Sequence, residues 1–161
     1  MEEAQFLTMI QTFQPMLYKI CRVYRPSRQD QEDLFQEIIY QLWKSQHSFK
    51  GNSQIKTWIY KVAINTALTD FRKKKPDIRY TDQIPDTESE FSNSDSTNQE
   101  TLFIEALQQL TDGEKTIITL YLESFSYKEI AGILGISENN VGVKINRIKI
   151  KLQNILNHGT K

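Results

Sequence analysis

The stretch that begins at Ser126 constrains the fold of this chain more than any other. Ser126 is followed three residues later by Glu129, which is the pattern of a capping box at a helix start. Gly135 predicts the end of that helix in the left-handed conformation, and Ser137 predicts the start of the next. Two helices joined by so short a turn cross at close range, and Ala131 supplies a small residue at the contact. The pattern therefore predicts a helix-turn-helix, in which the second helix enters the major groove of DNA.

The second of these helices has an apolar side and a side suited to DNA. The apolar residues recur at helical spacing and predict one packing seam: Val141, Ile145, Ile148, Leu152 and Ile155. At about 100° per residue, the opposite side carries Val143, Arg147 and Ile150. Arg pairs with guanine, Asn with adenine, and Val contacts the methyl group of thymine. We predict the following DNA-contacting residues: Asn139, Asn140, Val143, Lys144, Asn146, Arg147 and Lys149.

Within this set we assign base reading to Arg147 and phosphate contact to Lys144 and Lys149. After Asn140 the chain carries cations and no acidic residue, which favours a negatively charged partner. The alternative is an ordinary helical hairpin whose seam is only core. A small Ala, a turn Gly and an apolar seam in one register favour DNA binding over that alternative.

The composition of the whole chain excludes several classes of protein. Its 161 residues suffice for one ordinary domain or two small ones. The 20 Lys and Arg balance the 20 Asp and Glu, so only the distribution of charge can point to nucleic acid. Cys21 is the single cysteine, which excludes an internal disulfide and, with two distant His residues, argues against a zinc site. No apolar run is long enough to span a membrane and the N-terminus lacks a signal-peptide pattern, so we expect a soluble cytoplasmic protein without metal or cofactor.

The first 75 residues predict three helices. The first runs from Glu2 to Tyr24, and Pro15 is expected to kink or break it. The second runs from Gln29 to Ser45, and the third runs from Ser53 to Lys75. Their apolar faces predict these core residues: Phe6, Met9, Ile10, Phe13, Leu17, Ile20, Cys21, Leu34, Phe35, Ile38, Leu42, Trp43, Trp58, Ile59, Val62, Ala63, Thr66 and Ala67.

The third helix also combines aromatic and basic residues. Phe49, Trp58 and Tyr60 lie among cations such as Lys61 and the run at 72–75. Proteins hold unstacked bases by stacking them on aromatic rings beside a basic groove. Trp58 is nevertheless favoured as a core residue, and a basic run also suits a solvated helix end.

Composition changes sharply at Pro76. Residues 76–100 are acidic, contain Arg79 as their single basic residue, and have no helical or strand period. They predict a flexible acidic linker between two domains. The sequence leaves open that this linker is only a passive tether.

Residues 101–161 predict four helices around a small core. The first runs from Thr101 to Leu110, and a capping box of Thr111 and Glu114 opens the second. The helix-turn-helix supplies the last two. The chain is therefore predicted to be all-α, with two small helical domains at 1–75 and 101–161 joined by the linker at 76–100.

Two helical modules in this order resemble an extracytoplasmic-function sigma factor, a bacterial transcription initiation factor. The segments DLFQE at 33–37, SFKG at 48–51 and TWIYKVAINTA at 57–67, together with Trp43, are similar to sigma region two. The segment at 110–152, above all YKEIA at 127–131, is similar to sigma region four. Both regions at the usual separation make the resemblance specific.

The resemblance implies roles for residues in both domains. Docking on the largest subunit of core RNA polymerase falls to Asp33, Gln36 and Glu37. A second set of residues would capture a flipped base of the minus-ten element and contact nearby phosphates: Phe49, Lys50, Asn52, Lys56, Lys61, Asn65, Arg72 and Lys73. The helix-turn-helix would read the minus-thirty-five element, and the linker would follow the channel that later carries RNA.

The implied partners are core RNA polymerase, promoter DNA and an anti-sigma factor. The chain departs from the family pattern at Gly142 and Val143, where a basic and a small polar residue are more usual. This departure predicts a weaker grip on phosphate at the start of the recognition helix.

Two other classes of function compete with this reading. A stand-alone helix-turn-helix regulator would bind duplex DNA as a dimer without polymerase, and the aromatic-basic third helix and acidic linker would then lack a purpose. An enzyme is a more distant alternative, because the sequence has no paired carboxylates, nucleophile constellation, phosphate loop or metal-ligand spacing. The leading prediction is a promoter-recognition subunit with no catalysis of its own.

Overall fold

The computed structural model describes residues 2–49, 51, 54–72 and 98–159, and the described residues form seven α-helices and no strand. They belong to two compact units, Met1–Asp95 and Ser96–Lys161. The predicted all-α class with two helical domains is confirmed. The predicted end of the third helix at Lys75 and residues 76–97 of the predicted linker lie outside the described residues.

The first unit is a bundle of three helices that all pack on one another. Its elements are α1 (Glu3–Tyr24), α2 (Arg28–Ser45), a short 3₁₀ turn (Gln46–Ser48) and α3 (Ile55–Arg72). Ser27 caps α2, since its hydroxyl oxygen accepts a hydrogen bond from the Asp30 N–H at 3.1 Å. The 3₁₀ turn ends at Ser48, and its C-cap Phe49 is already in extended conformation.

Pro15 does not end α1, so the predicted break is wrong. A proline inside a helix removes one N–H donor and leaves the carbonyl four residues earlier without that partner. Pro15 and Gln11 both lie on the exposed side of α1, where water can satisfy that carbonyl.

The core of the first unit follows the predicted apolar faces, with Trp43 as the main exception. Leu17, Leu34 and Ile59 are fully buried. Trp43 is predicted in the core but is 43% exposed, because it follows Leu42 by about 100° on the helix; its ring makes an edge contact with the ring of Phe6. The other predicted core residues that are only half-buried are Ile10, Phe13, Phe35, Trp58 and Val62.

Two polar residues in this core have structural explanations. Burial raises the pKa of the Cys21 thiol to about 12, so the thiol stays protonated and is a small core residue, as predicted. Arg25 is buried, and its guanidinium donates hydrogen bonds to the carbonyl oxygens of Tyr24 and Ala67, both at 2.9 Å. The carbonyl of Arg25 in turn accepts one from Gln31 Nε2 at 2.9 Å. Arg25 therefore ties the end of α1 to both α2 and α3.

The second unit contains α4 (Asn98–Gln108), α5 (Asp112–Leu122), α6 (Tyr127–Leu134) and α7 (Glu138–Gly159). α4 begins three residues earlier than the predicted Thr101, so 98–100 are helical rather than linker. Glu100 in the first turn favours this earlier start through the helix dipole. α4, α5 and α6 each pack on α7, which is the central element of the unit.

Candidate nucleic-acid interface

The turn between α6 and α7 has the geometry that the sequence predicts. The Ser126 hydroxyl accepts a hydrogen bond from the Glu129 N–H at 3.1 Å, and the Glu129 carboxylate accepts one from the Ser126 N–H at 2.9 Å. Gly135 has φ +73°, in the left-handed region that favours glycine. The Ser137 hydroxyl accepts a hydrogen bond from the Asn140 N–H at 3.1 Å and caps α7. These caps fix both helix ends, and the predicted helix-turn-helix is confirmed.

The two sides of α7 differ as predicted. The seam residues Val141, Ile145 and Ile148 are buried, as is Leu152, whereas Ile155 is only half-buried. On the opposite side, Val143 is 43% exposed and Ile150 is 52% exposed. α7 thus presents an outward side that its own unit does not cover.

All seven predicted DNA-contacting residues on α7 lie at the surface. Lys144 and Arg147 are exposed and form no salt bridge with any residue in the described part of the chain. The remaining members are likewise exposed: Asn139, Asn140, Val143, Asn146 and Lys149. α7 therefore brings amide, guanidinium, ammonium and methyl groups to one surface, which are the groups that read base edges and hold phosphates. Their individual roles stay predictions.

Lys149 has a partner that the sequence analysis missed. Its ammonium donates a hydrogen bond to the Tyr121 hydroxyl at 2.9 Å and lies 4.6 Å from the centroid of that ring. The hydrogen bond to Tyr121 raises the pKa of Lys149. Tyr121 lies on α5, 28 residues away, so no local pattern could have predicted the pair.

Lys151 is engaged differently. Its ammonium lies 2.9 Å from Glu114 Oε1 in a salt bridge to the start of α5. Partial burial raises the pKa of Glu114, but the hydrogen bonds from Lys151 and Thr111 outweigh that effect and lower it overall. The carboxylate therefore stays ionised and neutralises Lys151 locally.

Gly142 lies against the first residue of α6. A Cβ atom at this position would be 3.4 Å from Cε2 of Tyr127, which is an ordinary van der Waals distance. The rings of Tyr127 and Tyr121 are 6.2 Å apart between centroids. The Tyr127 ring therefore lies beside Gly142 on the surface of α7.

The predicted minus-ten residues are only partly within the described chain. Lys50, Asn52, Lys73 and the side chain of Arg72 lie outside the described residues. Phe49 is half-buried, and its ring lies 5.2 Å from that of Trp58. The remaining members lie on α3, where Lys61 and Asn65 are exposed and Lys56 is half-buried.

Two expectations about aromatic residues near α3 need correction. Trp58 is neither a core residue nor an open platform, because it is half-buried beneath Phe49. Tyr60 is 1% exposed and belongs to the core, so it is not available for stacking on a base. Among these three aromatic residues, Phe49 is therefore the one that stays a candidate for stacking on a base.

The outer face of α2 extends beyond the predicted polymerase-binding residues. Gln36 is exposed, Asp33 and Glu37 are half-buried, and Glu37 Oε1 accepts a hydrogen bond from Gln41 Nε2 at 3.0 Å. Tyr40, one turn after Gln36, is 55% exposed. We call Asp33, Gln36, Tyr40 and Trp43 the outer face of α2. Tyr40 was missed, although its spacing from Gln36 would have placed it there.

Metal and membrane sites are not indicated in the described part of the chain. Among the described residues, no group of His, Cys, Asp and Glu is arranged to hold a metal ion. No described helix has the length and apolar character needed to cross a membrane.

Comparison with known proteins decides the family. The family model for Sigma-70 region 2 matches residues 9–76, and that for Sigma-70, region 4 matches residues 101–152. Over 156 residues the chain is 31% identical to the RNA polymerase sigma factor SigV of Bacillus subtilis (strain 168), covering 95% of this chain and 91% of that protein. Over 142 residues it is 31% identical to the ECF RNA polymerase sigma-E factor of Haemophilus influenzae, covering 80% and 75%. The chain belongs to the extracytoplasmic-function group of the sigma-70 family.

The fold of this sigma factor also resembles a solved structure. The sigma factor RpoE, in complex with the anti-sigma factor NepR from Bartonella quintana, matches with a TM-score of 0.73 at 22% identity, covering 95% of this chain and 97% of that chain. Family membership makes this protein a transcription initiation factor, and the family is not enzymatic. It also disfavours the alternative of a stand-alone helix-turn-helix regulator.

Proposed function

We propose that this sigma factor binds core RNA polymerase and directs promoter recognition, DNA melting and the start of transcription. Residues 1–75 would bind polymerase and the minus-ten element, 76–100 would link the domains, and 101–161 would read the minus-thirty-five element. The protein would itself catalyse no reaction, and it would act in the cytoplasm, where the promoters are.

One observation carries this proposal: two sigma regions occur in the order and spacing of the family, and the second presents an uncovered helix of cations and amides. A stand-alone regulator needs only that second region. The outer face of α2 supplies the first region with exposed polar and aromatic residues suited to a protein partner.

The decisive test is transcription from a promoter library by purified core RNA polymerase, with and without this protein. Transcripts that start at a common motif only when the protein is present would support the proposal. Duplex binding without any gain in transcription would instead favour the stand-alone regulator.

We also propose an anti-sigma protein as a regulatory partner. The sigma factor RpoE, whose fold this chain shares, was crystallised in complex with the anti-sigma factor NepR. A protein that competes with core polymerase for this sigma factor in a binding assay would meet this expectation.

Truncating Arg147 is expected to change which minus-thirty-five sequences are selected. A base-reading Arg contributes about 1–3 kcal/mol at one position, whereas a phosphate-binding Lys weakens all sequences alike. When minus-thirty-five sequences are selected with Arg147→Ala, the base preference at one position of the motif should therefore be relaxed. Selection with Lys144→Ala should return the same motif at lower affinity. Lys151→Ala serves as the control, because Lys151 is already paired with Glu114.

The opposite pattern would contradict this assignment. If Arg147→Ala leaves the motif intact and Lys144→Ala alters it, α7 is rotated in the groove from the orientation proposed here.

Truncating Phe49 and Asn65 is expected to impair promoter opening more than promoter binding. If these residues hold an unstacked base, the variants lack part of the stabilisation that offsets the unstacking cost of a few kcal/mol. Open-complex formation on duplex promoters should fall by about tenfold, and pre-melted promoters should restore it. Thr69→Ala, one turn beyond Asn65 and also exposed, is the matched control. Equal defects on duplex and pre-melted templates would mean that Phe49 and Asn65 are structural.

A further inference from the structure

The cations of α7 are divided between the two flanks of the helix. At about 100° per residue from the seam, Lys144 and Arg147 lie on one side and Lys149 lies on the other. Lys149 shares its flank with Gly142, seven residues earlier, and no other Lys or Arg of α7 lies on that flank. An α-helix is about 10–12 Å across and the major groove about 12 Å wide, so each flank of a helix in the groove approaches the backbone of a different strand.

Tyr121 holds Lys149 without cancelling its charge. The phenol is neutral and uses one ammonium N–H, at 2.9 Å, while the ring lies 4.6 Å from the nitrogen. An ammonium has three N–H donors, so two remain for another acceptor. Because Lys149 is exposed, those donors face solvent, and its raised pKa keeps the group charged.

Lys151 shows the contrasting arrangement on the same helix. Its partner is the Glu114 carboxylate at 2.9 Å, so its charge is locally neutralised. Lys149 and Lys151 are only two positions apart in the sequence, yet they project about 160° apart around the helix. The two lysines therefore differ in both charge balance and direction.

The position of Tyr121 beside the start of α6 fits contact with DNA. The ring of Tyr127, the first residue of α6, lies 6.2 Å from that of Tyr121 and packs against Gly142. In a helix-turn-helix the first helix crosses the DNA backbone while the second enters the groove. Lys149 thus lies on the flank of α7 where the first helix approaches the backbone.

We propose that Tyr121 is a positioning residue that holds the Lys149 ammonium on a DNA phosphate, on the strand opposite to the one that Lys144 contacts. This proposal rests on the proposed function and adds to it the residue that orients the second phosphate contact.

The first test is the salt dependence of promoter binding by the full-length protein assembled with core polymerase. Each lost phosphate contact lowers the slope of log affinity against log salt by about 0.9. Lys149→Gln should show this loss, whereas Lys151→Gln should keep the wild-type slope. Tyr121→Phe should weaken binding by roughly threefold to tenfold, and it should have no further effect when Lys149 is already Gln. A wild-type slope for Lys149→Gln, or an undiminished effect of Tyr121→Phe in the Lys149→Gln background, would overturn the proposal.

The second test locates the phosphates with a neutral methylphosphonate placed at one position at a time along both strands of the minus-thirty-five element. One methylphosphonate should weaken binding by the wild type but not by Lys149→Gln, and we expect it on one strand. Another should weaken binding by the wild type but not by Lys144→Gln, and we expect it on the opposite strand. Both positions on the same strand would overturn the proposal. If the wild-type protein shows no preference for the minus-thirty-five element, the proposed function itself is refuted. The failure of the Tyr121 proposal and the failure of the proposed function are therefore distinguishable.

Discussion

Alanine at both Gln36 and Tyr40 is expected to weaken the binding of this sigma factor to core RNA polymerase by at least about 30-fold. Both residues lie on the outer face of α2, and Tyr40 is 55% exposed although it is a large aromatic residue. Exposed tyrosine and tryptophan side chains are the residues that most often dominate the binding energy of protein interfaces. The opposite side of α2 carries Leu34, Ile38 and Leu42, all fully buried, so truncation of the outer face leaves the core intact.

The measurement is a titration of labelled protein with core polymerase, together with a urea unfolding curve for each variant. The matched control is Leu7→Ala with Gln11→Ala, an exposed apolar and polar pair at the same spacing on α1. The test pair should unfold within about 0.5 kcal/mol of the control pair. Unchanged affinity in the test pair would remove the outer face of α2 from the interface. An equal loss in the control pair would mean that the effect is not specific to α2.

Replacing Arg25 with Met is expected to lower the free energy of unfolding of the first unit by about 3 kcal/mol. The substitution removes the donors for the carbonyl oxygens of Tyr24 and Ala67, each 2.9 Å from the guanidinium. Hydrogen bonds from a charged group contribute about 1.5–3 kcal/mol each, and buried carbonyls left without a donor add a desolvation cost. Met replaces the aliphatic part of the Arg side chain, so the packing of that part is largely retained.

Arg28→Met is the matched control for this prediction. Its guanidinium forms a half-exposed ion pair with Glu32 at 3.4 Å, which contributes less than about 1 kcal/mol. Trp43 and Trp58 are the only tryptophans and both lie in the first unit, so their fluorescence in urea reports the unfolding of that unit alone. Equal stability of the Arg25 and Arg28 variants would show that the carbonyls find other donors.

The local signals in the sequence predicted much of this fold. Capping boxes, the left-handed Gly135 and the seam of α7 depend on residues three to seven positions apart, and hydrogen bonds or burial match each of them. Composition did not predict the start of α4, because an acidic residue such as Glu100 is typical both of a linker and of the first turn of a helix. Trp43 was misplaced because hydrophobicity alone does not say how far an apolar face extends around a helix.

The candidate sites were less predictable because their geometry depends on contacts between helices. Tyr121 and Lys149 are 28 residues apart, and Glu114 and Lys151 are 37 apart, so periodicity within one helix cannot pair them. The sequence indicated no partner for either Lys149 or Lys151, whereas the structure gives Lys149 a neutral partner and Lys151 a charged one. The burial of Tyr60 also depends on how three helices pack together, and the residue pattern of a single helix carries no information on that packing.

If the exposed side of α7 reads the promoter, as proposed, its angular separation from the buried seam leaves promoter preference open to change. Val141 and Ile145 are buried, and truncating such residues costs several kcal/mol of stability. Val143, Asn146 and Arg147 contribute nothing to that core, and surface substitutions usually change stability by less than about 0.5 kcal/mol. Evolution, or a designed library, can therefore alter the exposed side one residue at a time while every intermediate remains folded. A chain built this way can acquire a new set of target genes without first becoming less stable.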